Sequence, residues 1–285
     1  MKKSYKIFTT LAFVLLYAPL LIMIFFSFNS TESTGVFTGF SLKWYRSLFE
    51  DADGSIRSAL MYSITLAVIS SLVATFIGTL AALGISKFKR KYTKSAVMTV
   101  TNIPMVNPEI VTAVSIVLLF SAIFTIFKIK INDFASLLIA HITFNLPYVV
   151  LSVMPKVRQM DKSLTEAAMD LGCTPAKAFF KIELPQIMPG IFSGLIMAFT
   201  MSFDDFVISH FTAGTIETLP LKIYSMTGKG SVTPDMYALS TFMMIAIFGM
   251  LILSNLVQSR DERARNKAIK AIKKNQIEKK KKARA

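Results

Sequence analysis

Six long apolar runs, almost free of charge, constrain this chain more than any other feature of its sequence. They are residues 7–28, 59–85, 97–127, 134–154, 187–211 and 236–257. Each exceeds the roughly eighteen apolar residues at which a helix crosses the hydrocarbon core of a bilayer. In hydrocarbon the backbone must satisfy its own N–H and C=O groups, so the runs predict helices. The expected fold class is an all-α polytopic membrane protein with six transmembrane helices. A hydrophobic content of 53% and a mean hydropathy of +0.54 exclude an ordinary soluble domain. The third run is longer than one span needs, and Pro104 and Pro108 are expected to break its first part. The first run follows Met1-Lys2-Lys3 like a signal peptide, but it is too long for one. It also ends in Phe25-Phe26-Ser27-Phe28 without a small-residue cleavage site, so it reads as an uncleaved helix.

Basic residues set the expected topology. Lys2, Lys3 and Lys6 precede the first run, five basic residues from Lys87 to Lys94 follow the second, and Lys156, Arg158, Lys162, Lys177 and Lys181 follow the fourth. The densest cluster, from Arg260 to Arg284, follows the sixth. Cytoplasmic loops carry the excess of Lys and Arg, so both termini and the loops at 86–96 and 155–186 are placed inside. An even number of spans agrees. The net charge of +15 is then a topology signal and does not call for nucleic acid as a partner. The division expected is a transmembrane domain over 1–258 and a basic tail over 259–285, disordered and lying on anionic membrane lipid. Outside, Trp44 and Tyr45 in Leu42-Lys43-Trp44-Tyr45 suit a short helix at the membrane interface. The single Cys173 and the separated His141 and His210 offer no disulfide framework and no metal spacing.

The loop 155–186 has its own local grammar. Asp161 or Ser163 can cap a helix that runs through Glu166-Ala167-Ala168-Met169-Asp170-Leu171, and Gly172 can end it in the left-handed conformation. Thr174-Pro175 starts a second helix, which Pro185 and Pro189 are expected to break ahead of the fifth span. The plain alternative is an ordinary amphipathic loop. However, the pattern Glu166-Ala167-Ala168, three residues, Gly172, nine residues, Ile182-Glu183-Leu184-Pro185 resembles the signature loop of bacterial ABC-transporter permease subunits.

That resemblance implies a type I ABC importer permease fold in the bacterial inner or plasma membrane. It also implies that Glu166, Ala167, Ala168, Asp170, Leu171, Gly172, Ile182, Leu184 and Pro185 form the contact with an ATPase. The chain has no G-x-x-x-x-G-K-[ST] stretch, so ATP and Mg are expected on a separate subunit. No cofactor is expected on this chain, and it is not expected to be an enzyme.

Three acids fall within the runs: Glu109, Asp204 and Asp205. An intramembrane carboxylate is costly and faces a cavity or a partner. No Lys or Arg lies within a run to neutralise them. Asp204 and Asp205 are expected about fifteen residues into the fifth helix, on the order of 22 Å from its start. With carbonyls freed near Pro104, Pro108 and Pro147, the acids can line a path attractive to a cation. Tyr148 and Phe206 can add cation–π contacts. The plain alternative is hydrogen bonding between helices and ordinary aromatic packing.

The stretches Ser202–Ser209 and Thr218–Ser225, together with Tyr17-Ala18-Pro19-Leu20 and Leu42–Tyr45, resemble spermidine/putrescine permease subunits of the second type. The resemblance implies a second, homologous permease chain, two copies of an ABC ATPase and an extracytoplasmic polyamine-binding protein. Two other readings remain: a related permease for iron or an anion, and an ion-coupled secondary transporter. Anion transport fits poorly with three intramembrane acids. Secondary transport needs no ATPase-docking loop.

Overall fold

The computed structural model describes residues 2–31, 35–50, 54–227, 234–253 and 255–256. The basic tail expected at 259–285 lies outside them. Twelve α-helices follow one another: α1 Lys2–Phe26, α2 Lys43–Glu50, α3 Ser55–Ser86, α4 Lys91–Val106, α5 Glu109–Phe127, α6 Asp133–Gln159, α7 Lys162–Asp170, α8 Pro175–Ala178, α9 Leu184–Phe203, α10 Val207–Thr212, α11 Leu219–Thr227 and α12 Pro234–Leu253. Six helical segments are long and apolar enough to cross a membrane, namely α1, α3, α5, α6, the run from Pro175 to Phe203, and α12.

Helices α3, α6 and α9 form the core. Lipid tails are as apolar as leucine, so helices in a membrane associate through close packing rather than through hydrophobic exclusion. The buried face of α3 is accordingly small: Ala59, Ser63, Ala67, Ser70, Ala74, Gly78 and Ala82. It lies along α6 in parallel, with Ala74, Ala82, Val149, Val153, Val157, Ile187 and Ala198 joining in one cluster. At the closest approach, a Cβ added to Gly78 would lie 2.7 Å from Val149 Cγ1. Gly78→Leu is therefore expected to destabilise the protein by about 1–3 kcal/mol through overpacking, read as a lower thermal midpoint of the purified protein. By contrast, no residue in the most apolar window of α1 is buried.

Three expectations about the helices are corrected. The run 97–127 is two helices: Pro108 breaks it as expected, at Asn107–Pro108, but Pro104 stays inside α4. A residue before proline is pushed out of the helical region, and Asn107 is extended at φ −69° and ψ 140°. Pro108 thus frees no helical carbonyl, because α4 has already ended. Glu109 opens the membrane-crossing α5.

Pro185 and Pro189 do not break the chain ahead of the fifth span. A π-helical turn, Phe179–Glu183, joins α8 to α9, with Leu184 N–H bonded to Phe179 C=O. The wider turn absorbs Pro185, whose ring and missing N–H would disrupt a regular α-helix. The continuous helical run therefore starts near Pro175 and ends at Phe203, short of 211. Similarly, α6 continues through Pro155 to Gln159, so within 155–186 only α7 and its flanking turns stand apart from the two long helical runs.

Asp204 and Asp205 consequently do not sit within a helix. They occupy the break between α9 and α10.

Near the start of α3, Trp44 is 8% exposed, and its indole N–H donates to the Asn29 carbonyl at 2.7 Å. The Ser27 and Tyr45 hydroxyls are 2.7 Å apart. These bonds pin α2 to the end of α1.

Candidate functional site

The break after Phe203 treats its two carboxylates differently. Asp205 is buried, and its oxygens accept from Ile208 N–H at 3.3 Å and Ser209 N–H at 2.7 Å. It caps α10 and so satisfies donors that a helix start leaves orphaned. Asp204, where α9 ends, is exposed. It lines a cavity of about 260 Å³ together with Glu109, Phe144, Met201, Asp205, Phe206 and Val207. Glu109 reaches this cavity from the first turn of α5, and α5 packs on α10.

Four of the five residues expected along a path thus line one cavity. The fifth, Tyr148, lies one turn beyond Phe144 on α6, with its ring centroid 5.4 Å from that of Phe144 in an edge-on arrangement. Phe206 also faces His210 and Tyr224, at centroid distances of 5.4 and 4.8 Å. Phe144 is eleven residues into α6, about 17 Å along a helix about 40 Å long, so the cavity sits about midway along α6. None of its lining residues is Lys or Arg. Carboxylates facing such a space need a cation, water or a proton.

His141 is the residue that sequence reasoning missed. It is fully buried on α6. Its Nδ1 lies 2.7 Å from Ser202 Oγ, its Nε2 lies 3.1 Å from Ser209 Oγ and 3.5 Å from Asp205 Oδ2, and Ser202 Oγ lies 2.8 Å from Ser70 Oγ on α3. A lone histidine in an apolar run carries no spacing signal. The serines flanking Asp204-Asp205 were the only hint. Among the described residues, no group of three or more metal-ligating side chains comes together.

The second candidate surface is α7 with the turn after it. Asp161 caps α7, accepting from Ser163 N–H at 3.0 Å and Ser163 O–H at 2.7 Å. These bonds hold its carboxyl below the usual range. Gly172 takes φ +86°, and Gly172 N–H and Cys173 N–H close on the Met169 and Ala168 carbonyls. Thr174 caps α8 with Pro175 at its start. Gln186 on α9 accepts from Asp161 N–H at 3.1 Å, tying the loop to the core. Glu166, Ala167, Asp170, Leu171 and Gly172 are exposed, Ala168 and Ile182 are half-buried, and Pro185 is exposed while Leu184 packs on the core. Leu171 is 88% and Phe180 64% exposed, so this surface presents apolar side chains that no described residue covers.

Residues 74–266 match the family model for the binding-protein-dependent transport system inner membrane component. The chain belongs to this family. Family membership makes it an inner-membrane transport component rather than an enzyme, and it implies an ATPase and a substrate-binding protein as partners.

Among curated relatives, the putrescine transport system permease protein PotI of Escherichia coli K12 is 36% identical, with 90% of this chain and 92% of the relative covered. The spermidine/putrescine transport system permease protein PotC of the same organism is 38% identical, over 90% and 93%. A PotC homolog of Mycoplasma genitalium is 30% identical, over 89% and 90%. Among solved structures, a bacterial ABC transporter that imports alginate has a TM-score of 0.67 at 17% identity, covering 91% of this chain and 96% of that one. The MetNI methionine ABC transporter has a TM-score of 0.59 at 15% identity, covering 74% and 98%. The fold is therefore that of ABC importer permeases.

Proposed function

We propose that this chain forms part of the translocation path for polyamines, with spermidine and putrescine as the substrate class, in an ATP-driven importer. The observation that carries this reading is the convergence of Glu109 and Asp204, both exposed, on one cavity between the helices whose lining has no basic residue. Polyamines are polycations at neutral pH, and two carboxylates with aromatic walls offer them charge pairing and cation–π contacts. The relatives transport putrescine and spermidine by name, which supports the same class here.

The complete machine pairs this chain with a homologous permease, two copies of an ABC ATPase and an extracytoplasmic polyamine-binding protein. The termini and α7 face the cytoplasm, as the basic residues favour, and the basic tail lies on membrane lipid. The ATPase, with its ATP and Mg, docks on the surface from Glu166 to Gly172 and on Ile182, Leu184 and Pro185. The exposed Leu171 and Phe180 supply the apolar contact.

The test is ATPase stimulation of the complete assembly in nanodiscs by substrate with its binding protein, screened over putrescine, spermidine, an anion and ferric iron. Stimulation by the polyamines is expected. Stimulation by the anion or iron alone would replace this substrate class.

A further inference from the structure

We infer that His141, far from the α7 docking surface and exposed to no cavity, is a positioning residue for polyamine transport. As a hydrogen-bond bridge it helps set the geometry of the α9–α10 break and so presents Asp204 and Phe206 to the cavity. This role presupposes that the cavity is the cation path proposed above.

The bridge reaches four elements. Ser70 belongs to α3, His141 to α6, Ser202 to the last turn of α9 and Ser209 to the first turns of α10. His141 thus bonds both banks of the break, at 2.7 Å to Ser202 and 3.1 Å to Ser209. The directions of the bonds are constrained. Asp205 accepts main-chain N–H groups at both oxygens, and a Ser209 hydroxyl that donates to the same carboxylate completes its shell. Ser209 Oγ is then left to accept from His141 Nε2–H. That tautomer makes Nδ1 an acceptor for the Ser202 hydroxyl, and Ser202 Oγ accepts in turn from Ser70. Every donor in this chain of bonds points toward Asp205, and no charged imidazole is needed.

The break is also held by main-chain bonds and by the packing of α10 on α5 and α6. The main-chain bond from Asp204 N–H to the Thr200 carbonyl ends α9, and the Asp205 cap starts α10. The imidazole adds the polar link between the two helix ends, which also share the apolar cluster of Ile208, Ala140 and Phe144 with Met201 packed against it. Asp204 and Phe206 lie on the three-residue segment so held, and both line the cavity. Loss of the bridge leaves Ser202 and Ser209 buried without their partner and lets the segment shift.

The experiment uses the assembled transporter in nanodiscs with loaded binding protein. It reads the apparent KM and kcat of putrescine-stimulated ATPase, normalised to assembled complex. H141L keeps the volume and removes both bonds. It is expected to raise KM about tenfold, the size of one lost buried polar interaction, with kcat within about twofold. H141Q, whose amide has one acceptor and one donor, should recover KM to within about threefold of wild type. In a D204N background, H141L should add less than about a further twofold, because its effect acts through Asp204.

An unchanged KM in H141L, or the same fold increase in both backgrounds, would overturn the role. If H141L does not assemble, Ser209→Ala keeps the main-chain cap on Asp205 but removes one link. It should raise KM about threefold, and an unchanged KM there would equally overturn it. D204N without any effect on KM would instead overturn the reading of the cavity, and with it this role.

Discussion

Asp204→Asn in the assembled transporter is expected to cut kcat/KM for polyamine uptake about ten- to hundredfold, or roughly 1.5–3 kcal/mol of lost charge pairing. The substitution keeps the shape of the side chain and removes its charge. Asp204 is the acid that faces the cavity, whereas Asp205 is engaged by two main-chain donors. Glu109→Gln should act in the same direction with a smaller effect, because the start of α5 already compensates part of the Glu109 charge. Asp205→Ala should instead lower the amount of assembled protein, through loss of a helix cap worth about 0.5–2 kcal/mol. Initial rates of labelled putrescine uptake, divided by assembled complex, separate the three. Wild-type uptake in the first two variants would remove these carboxylates from the path.

Gly172→Val is expected to uncouple the machine. Gly172 holds φ +86°, a region that costs an L-residue about 1–2 kcal/mol and a β-branched one more. The turn it makes sets the angle between α7 and α8, and so the placement of Glu166–Leu171 and of the exposed Phe180. With the turn lost, the ATPase subunits should hydrolyse ATP without stimulation by the loaded binding protein, while uptake falls about tenfold or more. Gly172→Asn, which tolerates the left-handed region better than other side chains, should retain most of the coupling. The readout is the ratio of ATP hydrolysed to substrate taken up. An unchanged ratio in Gly172→Val would show that the turn does not transmit the ATPase cycle.

The six apolar runs and the capping residues of the loop were legible because each is a local signal. Charge-free length, Asp161 before a helix, a glycine after it and Thr174-Pro175 all act within a few residues. What the sequence concealed depends on non-local geometry or on a backbone adjustment without its own residue code. Pro185 looks like a breaker, and only the π turn at Phe179–Glu183 shows how the chain continues through it. The break at Asp204–Phe206 falls between apolar stretches on either side and carries no Gly or Pro, so hydropathy carried a helix across it. Asp204 and Asp205 look equivalent in sequence, and the main-chain donors of Ile208 and Ser209 tell them apart. His141 was hidden for the same reason: its partners are 61 and 68 residues away.

An ATP-driven polycation path through this chain is the central claim. Its most direct test is accumulation of labelled spermidine and putrescine in proteoliposomes that hold the complete assembly, with an active or a hydrolysis-dead ATPase. Accumulation is expected only with the active ATPase, and it should persist when ion gradients are collapsed. Accumulation that continues with the dead ATPase and vanishes with the gradient would contradict it, and would make the cavity acids part of an ion-coupled transporter.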